Sequence, residues 1–297
     1  MRLEKKATLV ATITATLLMI IKMSVAIFSG SVAVLASAID SMLDLSISLF
    51  NYFALHNSEK NPDEEFNYGR TKLEPLAAVV EGTIISLSAL FILYESLIKV
   101  IHPREIQYMS ETVIVMIISI MITLALVLFL NYVARRTNNL VIKADALHYK
   151  TDLFSNAAVL IALGIVYLTQ EQVVDSIIGV GIAVYMIYSV VPILKEGINM
   201  LLDKALPKED QERITALIHA DPEITDFHDL KTRESGGHIF ISMHAVLNVS
   251  ISLYDAHLIS DKLEMRLKAL FDDKKVHILI HLDPYDDSVI NEEEDSF

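Results

Sequence analysis

Six stretches of the chain, near residues 7–28, 31–55, 74–101, 111–134, 141–168 and 174–195, are almost continuously apolar. Each reaches the roughly 20 residues that a helix needs to cross the hydrocarbon core of a bilayer. The pattern predicts six membrane-spanning helices in the first two thirds of the sequence. The first stretch lacks the short apolar core and small-residue cleavage site of a signal peptide, and it continues through Lys22 to Ser29-Gly30-Ser31. It reads as a retained span.

The pattern changes after Leu202, where Asp203, Lys204, Pro207, Lys208, Glu209 and Asp210 end the apolar run. Ile214, Leu217 and Ile218 then recur at helical spacing behind Pro207, which predicts an amphipathic helix over 208–220. Alternating positions predict strands over 227–233, 238–247 and 276–282; in the second, Ile239, Ile241, Met243 and Ala245 oppose His238, Phe240, Ser242 and His244. Leu258, Leu263, Leu267 and Leu270 mark another helix over 253–271. The order is αββαβ, with Gly236-Gly237 as a tight hairpin, and an antiparallel sheet backed by two helices is expected. The fold class is therefore a six-helix α-helical membrane domain over 1–206, a cytoplasmic α+β domain over 207–288 and an acidic tail over 289–297.

Composition agrees with this division. Of the 297 residues, 53% are hydrophobic, above the roughly 45–50% apolar share of soluble domains, so the lipid bilayer is a partner. The net charge of −14 includes the run Asn291-Glu292-Glu293-Glu294-Asp295, a solvated tail, and makes nucleic acid an unsuitable partner. Arg2, Lys5, Lys6, Lys60, Arg70, Lys72, Arg135, Arg136 and Lys143 fall on one side of the predicted spans. That side is read as cytoplasmic, with both termini on it. The opposite connections hold only Arg104, with Lys99 at the end of the preceding span. There is no Cys, so any metal must be held by oxygen and imidazole.

Acids inside the predicted spans carry the chemistry. An Asp in mid-span costs about 2.5–3.5 kcal/mol on insertion scales, and Asp40, Asp44 and Asp152 together require something that offsets this. Asp40 and Asp44 are four apart, as are His148 and Asp152, so each pair shares a helix face about 6 Å apart along the axis. The two spans run antiparallel, which brings the pairs to one depth. Three carboxylates and one imidazole suit tetrahedral Zn2+. The bland alternative is a salt-bridge or proton-relay network, but no basic residue on those spans matches three acids. Lys22, on the first span, could be that missing partner, although snorkelling to the outer interface is the simpler account, and its role is left open. Asn51, Asp145 and Asn156 continue the polar faces. No HExxH or nucleophile–base pair occurs, which argues against an enzyme.

DxxxD on the second span, HxxxD on the fifth, the segments Tyr68-Gly69-Arg70, Lys72-Leu73-Glu74-Pro75 and Asp145-Ala146-Leu147-His148-Tyr149-Lys150-Thr151-Asp152, and the αββαβ tail resemble the cation diffusion facilitator family, in its bacterial YiiP-type ferrous-iron and zinc efflux branch. The resemblance covers nearly the whole chain. It implies a homodimer in the bacterial inner membrane that exchanges cytoplasmic divalent metal, Zn2+ above all, for protons, with a ferredoxin-like metal-binding cytoplasmic domain. Fe2+, Cd2+ and Mn2+ stand as alternative substrates, and a passive channel or sensor as an alternative mode. The family's loop site falls on Asp63, Phe66 and Arg70, of which only Asp63 can ligate, so that site is expected to be degraded; Glu64 and Glu65 read as a solvated charge run. Its cytoplasmic site falls on His228, His244, His257, His281 and Asp283. Its Lys–Asp interlock falls on Lys72 and Asp203.

Overall fold

In the computed structural model, which describes residues 2–29, 32–101, 110–169, 173–271 and 274–286, the apolar stretches are long helices: α1 (Leu3–Ser29), α2 (Val32–Ser58), α3 (Leu73–Ile101), α4 (Ser110–Thr137), α5 (Leu140–Thr169) and α6 (Val173–Leu201). Among the described residues, four segments are long and apolar enough to cross a membrane: Leu3–Phe28, Leu73–Ile98, Val113–Thr137 and Ser176–Leu201. These belong to α1, α3, α4 and α6; the other two helices, α2 and α5, carry the acids. The 102–109 connection, the turns at 30–31 and 170–172, and the 289–297 tail lie outside the described residues.

Small residues set how closely these helices approach. Ala7, Ala11 and Ala15 recur every four residues and are buried on α1; Ala7 and Ala11 pack with Leu55, Leu130, Val133, Ile142 and Ala146 of α2, α4 and α5. Helices in lipid gain little from apolar burial against one another, so close backbone approach and dispersion must hold them. A Cβ at Gly197 of α6 would stand 2.7 Å from Val79 Cγ2 and 3.2 Å from the Pro75 carbonyl of α3. A side chain there would have to push Val79 and the α3 backbone aside. Helices α4 and α5 meet at Asn138, which adopts the left-handed region at φ 52°. Asn139 then caps α5, its Oδ1 accepting from Ile142 N at 3.1 Å. Large apolar side chains such as Ile13, Leu17, Phe91 and Leu128 point outward, as lipid-facing positions would.

The chain divides into two compact units, Met1–Ile198 and Asn199–Phe297. The second contains α7 (Lys208–His219), β1 (Asp226–Ser235), β2 (His238–Val246), α8 (Leu253–Lys268) and β3 (Lys275–Asp283), with a 3-10 turn at Ala269–Phe271. Gly236 and Gly237, at φ 54° and 72°, make the β1–β2 hairpin that the sequence predicts. The sheet order is β1-β2-β3. The expectation of a wholly antiparallel sheet is corrected: β1 and β2 are antiparallel, but β2 and β3 are parallel. The physical reason is α8, a crossover that returns the chain to the end where β2 began. Ile239, Ile241, Met243 and Ala245 face Ile214 and Ile218 of α7 and Leu263 and Leu267 of α8, which leaves the other face of the sheet to the histidines.

Candidate metal centres

In the helical unit, α2 and α5 bring together Asp44, His148 and Asp152, one ligand atom of each lying within 4.8 Å of the others. His148 Nε2 lies 3.2 Å from Asp44 Oδ1 and 3.6 Å from Asp152 Oδ2. The pair on α5 converges because residues four apart share a helix face. Asp40, one turn before Asp44, is exposed and lies outside this triad. Lys22 does not snorkel: it is 7% exposed, and its Nζ donates to Ser41 Oγ at 2.8 Å. Ser41 is itself buried on α2 and offers the ammonium a nearer acceptor than the interface, beside Asp40 in sequence.

Further along the same helices lies a polar layer. Asn51 of α2 donates from Nδ2 to Glu81 Oε2 of α3 at 2.9 Å and to Asp145 Oδ1 of α5 at 3.5 Å. The buried Tyr149 hydroxyl meets Ser48 Oγ at 2.7 Å. The sequence places Asn51 and Asp145 near the site faces. It misses Glu81, whose one signal is a lone acid inside an apolar run.

In the 59–72 loop, Asp63 is engaged by protein groups. Arg70 Nη1 donates to its Oδ2 at 2.6 Å, and the Phe66 backbone N–H donates to its Oδ1 at 2.8 Å. The Arg70 guanidinium, and after it that backbone donor, hold the Asp63 carboxyl below the usual carboxylate range. The same guanidinium stacks on Phe66, 4.0 Å from the ring centroid. Arg70 takes the place a cation would need.

In the second unit, His228, His244 and Asp283 bring one ligand atom each within 4.8 Å of one another. The register explains it. His228 pairs with His244 across β1 and β2, and His244 pairs with His281 across β2 and β3. Asp283 sits two residues beyond His281 on the same face of β3. Asp283 Oδ2 lies 2.8 Å from His244 Nδ1 and 3.3 Å from His228 Nε2, and its Oδ1 lies 3.2 Å from His281 Nε2. The His244 and His281 rings stack at 4.6 Å. His257 does not join them; its side chain is 70% exposed on α8 and faces Asp261 at 3.6 Å. Asp203, at φ 54°, accepts from Arg233 Nη1 at 3.0 Å within its own unit. A bulge between His228 and Lys231, with Asp229 at φ 52°, shifts the β1 register beside the cluster.

Comparison with known proteins agrees with both parts of the chain. The model of the cation efflux transmembrane domain matches residues 8–202, and that of the cation efflux protein cytoplasmic domain matches residues 206–285. Proteins named cation-efflux pump FieF from Klebsiella pneumoniae and Cronobacter sakazakii are each 36% identical over 283 residues, covering 95% of this chain and 93% of theirs. One from Escherichia coli is 35% identical over the same lengths. A solved chain of CzrB, titled as a candidate zinc transporter, is 31% identical over 27% of this chain and 99% of its own, with a TM-score of 0.24. A transmembrane and a cytoplasmic cation-efflux domain in tandem, with relatives matched almost end to end, place this chain in the cation efflux (cation diffusion facilitator) family of membrane transporters.

Proposed function

We propose that this divalent-cation efflux transporter is a zinc/proton antiporter whose transport site is Asp40, Asp44, His148 and Asp152. One observation carries the reading: a carboxylate from α2 and an imidazole and a carboxylate from α5 hold their donor atoms within 4.8 Å of one another. Asp40 is the fourth ligand, one helical turn from Asp44 and brought in by the ion itself, to give the tetrahedral set that zinc prefers. Imidazole favours Zn2+ over harder ions such as Mn2+; Fe2+, Cd2+ and Mn2+ are the alternative substrates. All six long helices span the bacterial inner membrane with both termini cytoplasmic. The C-terminal unit is a ferredoxin-like domain of a homodimer, with His228, His244, His281 and Asp283 as its metal ligands.

Coupling to protons follows from His148. Its Nε2 faces both Asp44 and Asp152, the arrangement in which an imidazolium is held by two carboxylates. A metal ion at that point requires the neutral ring, so loading expels a proton and reprotonation expels the metal. Zinc-driven proton flux in vesicles tests this. Asp44→Ala and His148→Ala should each abolish flux, and unaltered flux in either variant would sink the assignment.

A further inference from the structure

The helical unit contains a second acidic layer that the transport site does not use. Glu81 on α3 is 1% exposed, Asp145 on α5 is 0% exposed, and Asn51 on α2 lies between them at 0%. Among the described residues, the Asn51 amide nitrogen is the one side-chain donor to either carboxylate. Glu81 Oε1, Asp145 Oδ2 and the Asn51 carbonyl Oδ1 accept no hydrogen bond from any described residue. Asn51 adds an observation independent of the acids. It is neutral and fully buried, its nitrogen is fixed on both carboxylates, and its oxygen is left without a donor.

Buried ionised carboxylates persist only when paired or bound to a cation, and a buried amide oxygen without a donor is also costly. A proton neutralises one acid. A divalent cation meets both acids together, and also the amide oxygen once the Asn51 amide turns over in place of its two N–H contacts. Position gives this a meaning. Asn51 lies seven residues past Asp44, about 10 Å along α2, and Asp145 lies three residues before His148, about 4.5 Å along α5. Because these helices are antiparallel, both displacements lead toward the end of the bundle where α3 begins.

We propose that Asn51, Glu81 and Asp145 form a second intramembrane cation site, a station through which the transported divalent ion passes to or from the triad of Asp44, His148 and Asp152. Its role as a station rests on the transport reading; its capacity to bind does not. The donors are all hard oxygens, so this site takes Mn2+ or Fe2+ readily and lacks the imidazole that favours zinc.

The test measures free Mn2+ by electron paramagnetic resonance over the full-length protein in detergent, in a background carrying Asp44→Ala, His148→Ala and Asp283→Ala. That background should retain one Mn2+ per chain. Adding Glu81→Gln or Asp145→Asn should weaken it at least tenfold, with size-exclusion profile and helical circular dichroism unchanged. No Mn2+ bound in the background, or equal binding with and without either substitution, overturns the proposal. If both carboxylate variants fail to fold, Asn51→Ala, which keeps the two charges, decides by the same readout. Unaltered zinc-driven flux in Asp44→Ala or His148→Ala, with Mn2+ binding intact, would overturn the transport reading and leave this site standing.

Discussion

Replacing Asp283 with Ala should remove nearly all zinc-dependent stabilisation of the C-terminal unit. The Asp283 side chain is 6% exposed and lies 2.8, 3.3 and 3.2 Å from nitrogens of His244, His228 and His281. All three rings face this carboxylate. Losing an outer-shell partner of a metal ligand typically costs 10–100-fold in affinity, so losing the central carboxylate should cost about 100-fold or more. At a zinc concentration near 100 Kd the native site contributes about 2.7 kcal/mol of stability. After a 100-fold loss the same concentration equals Kd, and the contribution falls to about 0.4 kcal/mol. For a domain of this size the difference of about 2.3 kcal/mol is roughly 10 °C in Tm. The assay is thermal unfolding of residues 199–297 with and without zinc. Comparing each variant with its own zinc-free Tm removes the purely structural cost of losing the carboxylate. A zinc-dependent rise in Asp283→Ala equal to that of the native unit would refute the reasoning.

Asp40→Asn should weaken zinc binding by roughly tenfold and Asp44→Asn by roughly 100-fold or more, because Asp44 already lies in the triad; calorimetric titration in an Asp283→Ala background checks the ranking. Lys22→Met should tighten zinc binding at least tenfold in the same titration, since a buried ammonium on Ser41 opposes an incoming cation across a poorly screened interior. Gly197→Ala should destabilise the helical unit by about 1–3 kcal/mol through overpacking against Val79 and the Pro75 carbonyl, seen as a lower unfolding temperature in detergent. The pH profile of the C-terminal unit should carry the signature of His277. Burial first, then Lys275, Arg233 and Lys268, push its imidazole below the ordinary 6.5. The fold therefore favours the neutral ring, and its contribution is present above the unfolded value and lost as pH falls through the depressed one. His277→Gln should flatten that stretch of the stability curve, measured by chemical denaturation between about pH 5 and 7.

Periodicity made much of this legible. Apolar length marks the six long helices, and strand alternation separates Ile239, Ile241 and Met243 from the histidine face. Spacing of four marks the two halves of the membrane triad, because a helix turns nearly once in four residues. What spacing leaves open is rotation. Asp40 and Asp44 share a face, yet the helix is turned so that Asp44 meets His148 while Asp40 stays outside. Alternation carries no strand direction, so the parallel β2–β3 pairing was hidden. Glu81 was hidden because it has no mate on its own helix; its partners come from α2 and α5. Lys22 looked like an interfacial lysine because depth along a helix says nothing about which neighbour it faces.

The helices α2 and α5, which hold the acids of the candidate metal site and fall outside the four apolar segments, also bear on biogenesis. On the proposed six-span arrangement each Asp of these helices opposes entry into lipid by about 2.5–3.5 kcal/mol, so neither helix is well suited to leave the translocon alone. Each follows a strongly apolar helix, α1 or α4, across a short connection, and insertion as helical hairpins would let the apolar member carry the polar one. Substituting one of the proposed transport ligands with Ala would then ease insertion and, on that proposal, abolish transport. Abundance in the membrane would accordingly be a poor proxy for a working pump, and inactive variants of this site should accumulate at least as well as the native chain.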